Sequence, residues 1–143
     1  MSDVNEGQSQ GIPSYYMAAT LHGSFEDAVA GTEEALKTEG FGVLSQINIQ
    51  QTLKSKLNVD FQPYTILGAC NPALAHDALQ LEDKVGTMLP CNVVVQQMQD
   101  GTVEVAAIDP VASMQAIDNA ELKNAASIVR DKLSRVIAAL SCR

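Results

Sequence analysis

CNVVVQQMQDGTVEVAAI, Cys91 to Ile108, consists of two apolar-rich runs joined at Asp100-Gly101. Valine and isoleucine suit a pleated, half-buried surface, and Asp-Gly between two such runs is the strongest short-range signal for a β-hairpin. The stretch therefore predicts two antiparallel strands. A two-residue turn would pair Met98 with Val103, Val94 with Ala107 and Asn92 with Asp109 on one face, and would bring Cys91 towards Pro110 on the other.

Upstream of the hairpin, YTILGAC (Tyr64 to Cys70) is a short apolar run between Pro63 and Pro72, the pattern of a buried strand. Asn71 then serves as a helix N-cap and Pro72 as the first helical residue of PALAHDALQL. Further back, GVLSQINI reads as a strand by its alternation, and QQTLKSKL as a turn or two of helix. SYYMAATL (Ser14 to Leu21) alternates well enough for a first strand. Ser24 with Asp27 then resembles a capping box ahead of Phe25, Ala28, Val29, Thr32, Ala35 and Leu36 at helical spacing, and Gly40 supplies the stop. Downstream, Asp118 with Glu121 predicts the cap of a long helix striped by Leu122, Ala125, Val129, Leu133, Val136, Ile137 and Leu140. The order predicts an α+β fold, an antiparallel sheet backed by helices on one face.

The chain of 143 residues suits one domain, expected over 14–143, with the polar, aperiodic residues 1–13 expected as a mobile tail. No apolar run reaches the roughly 20 residues of a membrane span, and the first residues have neither a basic nor an apolar signal region. A cytoplasmic protein is expected. In that reducing compartment Cys70, Cys91 and Cys142 are expected to be thiols. The formal charge of -8 opposes phosphate contacts and predicts no nucleic-acid partner.

Cysteine followed by asparagine occurs twice, in GACNPALAH and in LPCNVVV. If the strand ending at Cys70 pairs antiparallel with the strand beginning at Cys91, both pairs meet at one end of the sheet, and Asp109 joins them. Cys70, Asn71, Cys91, Asn92 and Asp109 are therefore the candidate site. Packing explains much of it, since free cysteine is commonly buried and asparagine is a favoured cap. Asn92 is the exception, because asparagine is depleted in strands. Three sharper readings stand beside packing. Cys70, just before a helix N-terminus, is placed for thiol redox or sulfur handling, although no Cys-x-x-Cys supports this. The two cysteines with Asp109 and His76 or His22 have the chemistry of metal ligands without their local spacing. A small-ligand or partner-binding pocket is the third. No phosphate loop, nucleophile elbow or paired carboxylates at catalytic spacing is present in the sequence, so nothing in it supports an enzyme or names a cofactor. The leading expectation is a non-catalytic binding module; the alternative is a thiol-dependent redox, sulfur-handling or metal-binding protein.

GFGVLSQINIQQTLKSKLNVDFQPYTILGACNPALAHDAL, followed by VGTMLPCNVVV and AAIDPV, resembles the prokaryotic domain-of-unknown-function family 302, over about Tyr15 to Leu140. The resemblance implies a curved antiparallel sheet backed by helices, similar to one half of the TATA-binding protein, and a homodimer. It implies no activity, and no role is carried onto His76.

Overall fold

A computed structural model describes residues 14–142; the segment expected as a tail lies outside the described residues. Five antiparallel strands form one open sheet: β1 (Tyr16–Leu21), β2 (Gly42–Asn48), β3 (Tyr64–Cys70), β4 (Cys91–Gln97) and β5 (Val103–Ile108), in the order β1-β5-β4-β3-β2. Helices α1 (Phe25–Thr38), α2 (Ile49–Leu57), α3 (Pro72–Leu81), α4 (Pro110–Ser113) and α5 (Ala120–Leu140) complete the fold, with a 3₁₀ segment at Asp83–Met88. The architecture is the expected α+β one.

The hairpin differs from its expected register by one residue. Met98 N–H donates to Thr102 O at 2.8 Å and Gly101 N–H to Met98 O at 3.1 Å, so three residues, Gln99 to Gly101, form the loop. Gly101 takes φ 89°, the left-handed conformation that closes a three-residue loop with a bulge. Asp100 Oδ1 selects this form by accepting from both Thr102 N–H (3.0 Å) and Thr102 Oγ1 (2.6 Å). Gln97 therefore pairs with Val103, Val94 with Ala106 and Val93 with Ala107. Because side chains alternate, the single step exchanges the faces: Val93, Val95, Val103, Val105 and Ala107 become fully buried, and Asn92 is turned outward.

Helices α1 and α5 lie side by side on the face that these valines share. Ser24 caps α1 through Oγ, accepting from Asp27 N–H at 3.0 Å. The buried side of α1, with Ala28, Gly31, Thr32, Ala35 and Leu36, is mostly small, which lets it approach closely. Thr32 is fully buried, and its hydroxyl donates to Ala28 O at 2.7 Å, so no polar group is left unsatisfied there. Helix α5 begins one residue later than expected: its cap is Asn119, not Asp118. Asn119 Oδ1 accepts from Leu122 N–H (3.0 Å) while Nδ2 donates to Leu81 O (3.3 Å), so the cap also ties α5 to the end of α3. Leu133, Val136, Ile137 and Leu140 fill the core from α5, each large side chain contributing roughly 1.5–3 kcal/mol of burial. A second, smaller cluster of Ala78, Val85, Met114, Leu122 and Ala126 closes one end of the sheet.

The opposite face of the sheet carries an ordered pattern. Ala18, Ala106, Val94, Ile66 and Ile47 stand directly opposite one another across all five strands, forming an apolar row. Beside it runs a polar row of Thr20, Glu104, Gln96 and Tyr64. No helix among the described residues is long and apolar enough to cross a membrane.

Candidate functional site

Strand β3 pairs antiparallel with β4, Ala69 opposite Cys91, so the end of one cysteine-bearing strand meets the start of the other. Cys91 shares the core face with Ala69. Cys70, one residue further, leaves β3 on the opposite side of the pleat just as the chain turns into α3. Cys70, Asn71 and Cys91 nevertheless border one cavity of about 40 Å³, whose other walls include Leu74, Pro90, Met114 and Val129. The lining is almost wholly apolar. Such a space holds a water by size but offers it few hydrogen-bond partners.

Burial pushes the Cys91 thiol up to about 11, with the neighbouring Cys70 adding to the rise. At neutral pH Cys91 is therefore a protonated thiol, a poor nucleophile. All three cysteines are free thiols: Cys91 is buried, Cys70 partly buried and Cys142 exposed.

Asn71 works as a structural joint. Its Oδ1 accepts from Leu74 N–H at 3.3 Å, capping α3, and its Nδ2 donates to Glu39 O at 3.4 Å, just past the end of α1. Gly40, at φ 84°, has no room for a side chain there, since a Cβ would lie 2.9 Å from Asn71 Nδ2. Gly68 has a similar constraint: a Cβ would meet Ser45 Oγ and lie 2.9 Å from Pro90 Cγ. Small size at these two positions brings the turn at Pro90, β2 and the α1 terminus together around the cysteine corner.

The other two candidates do not join this cavity. Asn92 faces the uncovered side of the sheet, across from Gly68. It borders a groove there with Val94, Gln96 and Glu104. Asp109 does not pair with Asn92, because the three-residue loop shifts the hairpin. Instead Asp109 Oδ1 caps α4 by accepting from Val111 N–H at 2.9 Å, and Oδ2 meets Arg130 Nε at 3.2 Å. His76 and His22 are exposed, and His76 Nε2 lies 3.4 Å from Gln80 Nε2. Among the described residues no three His, Cys, Asp or Glu side chains gather as metal ligands.

Two features escaped the sequence reading. Met114 is a wall of the cysteine cavity, and Tyr15, Tyr16 and Tyr64 gather around the groove on the open face.

The model of the family described as domain of unknown function DUF302 matches residues 17–140. The chain is also similar to a solved structure, the uncharacterized conserved protein DUF302 from Bacillus stearothermophilus, with 29% identity and a TM-score of 0.83 over 90% of this chain and 99% of that one. No curated protein matches the chain.

Proposed function

The chain belongs to the DUF302 family, and we propose that it acts as a non-catalytic binding and interaction module that pairs with a second copy of itself through β2 and α2. One observation carries the reading. Half of the large apolar side chains exposed among the described residues fall between positions 44 and 61: Leu44 (70% exposed), Ile47, Leu57 (65%), Val59 and Phe61. Helix α2 has no buried residue. Apolar surface concentrated in this way marks an interaction site.

The neighbouring strand supports a second copy as the occupant. β2 lies at the edge of the sheet, and GVLSQIN contains no charge and no proline. Edge strands that stay solvent-facing are commonly protected by charges or proline, and an antiparallel edge can pair with its own symmetry mate. Between Gly42 and Phe61 the charged residues are Lys54, Lys56 and Asp60, whereas the whole chain carries -8. This segment therefore brings none of the chain's net negative charge to such a contact.

Such a module would work in the cytoplasm, where its thiols stay reduced, and its acidity opposes nucleic acid as a partner. The alternative, thiol-dependent redox, sulfur-handling or metal chemistry at Cys70 and Cys91, is weakened by the burial of Cys91. Sedimentation equilibrium of the purified chain tests the main reading. Twice the mass of one chain, reduced to one chain by Leu57→Asp and by Ile47→Lys, is expected; a wild-type monomer at 100 micromolar, a concentration of order 10⁻⁴ M, overturns it.

A further inference from the structure

We propose that the groove on the open face of the sheet is a binding site for a small organic amine, its ammonium held between Glu104 and Tyr64 and its apolar body lying along the sheet. The groove encloses about 330 Å³, within the range of small-molecule sites. Its floor is Val94 and Ala106 from the middle of the apolar row. One end is built from the polar row, where Tyr64, Gln96 and Glu104 stand side by side on β3, β4 and β5. The other end has Asn92, Ile108 and the edge-to-face pair of Tyr15 and Tyr16, whose rings lie 5.0 Å apart.

Charge selects the ligand. Among the described residues no Lys, Arg or His lines the groove, and Glu104 is its single carboxylate. Glu104 Oε1 accepts from Gln96 Nε2 at 3.0 Å, which fixes the carboxylate over the groove, and Glu104 has no ion pair among the described residues. An anion would find a like charge and no counter-charge. A cation would find the carboxylate and, two strands away at roughly 10 Å between backbones, the face of Tyr64, which attracts ammonium groups. Tyr64 is itself steadied by Phe61, with ring centroids 6.0 Å apart. From the Glu104 row to the Ile108 row is four residues, roughly 13 Å along a strand. That length suits an amine with an apolar body of about six carbons, ending against the tyrosine pair.

Among the described residues none of Leu44, Ile47, Leu57, Val59 and Phe61 lines the groove, although Phe61 packs against Tyr64 at its border. The test uses hexylamine, hexanol and hexanoate as length-matched probes at pH 7, followed by ¹H–¹⁵N chemical shifts of the full chain. Expected are saturable shifts at Val94, Gln96, Glu104 and Ala106 with hexylamine, at least tenfold tighter than with hexanoate. Glu104→Gln should bring hexylamine down to the level of hexanol while hexanol binding persists, which also shows that the variant is folded. Tyr64→Leu should weaken the amine severalfold and spare hexanol. Leu57→Asp should leave all three unchanged. Equal binding of amine and hexanoate, an unchanged preference in Glu104→Gln, or shifts confined to other surfaces would overturn the assignment.

Discussion

Raising the pH should weaken the fold through a single buried thiol. In the folded chain Cys91 is 6% exposed and its pKa is pushed from 9.0 to about 11. In the unfolded chain the same thiol ionises near its ordinary value. Between these two pH values unfolding releases a proton, so alkali favours the unfolded state: the contribution is fully present below pH 9 and is lost as pH rises towards 11. At 1.36 kcal/mol per pKa unit the loss is roughly 2–3 kcal/mol, a sizeable part of the stability of a small domain. Urea unfolding of wild type and Cys91→Ala at intervals from pH 8 to 11 reads it directly. Lysine and tyrosine titrations are common to both proteins and cancel in the difference. The variant starts less stable, having lost the packing of the sulfur, and the gap should narrow by those 2–3 kcal/mol over the window. Parallel curves would show that the Cys91 thiol is not desolvated in solution, and the cavity would then be open to water.

Other consequences are more local. Gly68→Ala forces a methyl group against Ser45 and Pro90 and should cost about 1–3 kcal/mol in urea unfolding. Asn71→Ala removes the α3 cap and the bond to Glu39 O, with an expected loss of about 1 kcal/mol or slightly more; an unchanged urea midpoint would deny its role as a joint. Leu133→Ala, at a fully buried position of α5, should cost about 2–5 kcal/mol. With a thiol reagent at pH 8, exposed Cys142 should react within the mixing time and Cys91 only as fast as the protein opens, a contrast that mass spectrometry of the labelled peptides can follow.

Elements bounded by strong local signals were legible in the sequence. β3 and α3 have their expected limits because Pro63, Asn71 and Pro72 act within the chain itself. The hairpin was legible as a hairpin but not in its register, since its loop length depends on Asp100 accepting from Thr102 rather than on the Asp-Gly pair alone. Asn119 replaced Asp118 as a cap for a tertiary reason, its second bond to Leu81 O. The same limits divided the candidate site. Strand ends can be matched from sequence, so Cys70, Asn71 and Cys91 border one cavity, but the partner of Asp109, Arg130, is 21 positions away on α5 and has no local signature. The open-face groove needs the order of four strands before Tyr16 and Tyr64 can be placed at one feature.

The order of the strands also bears on how the chain is made. β2, β3 and β4 each lie beside the strand that follows, whereas among the described residues β1 has β5 as its only strand neighbour, Leu21 opposite Val103. During synthesis about 80 residues must be added before that partner exists, roughly 4–16 s at ~5–20 residues per second. Throughout that interval Ala19 and Leu21, which end up buried, have no strand to cover them. The first strand to leave the ribosome is the last to be paired, and a chaperone that holds this nascent chain should hold it there.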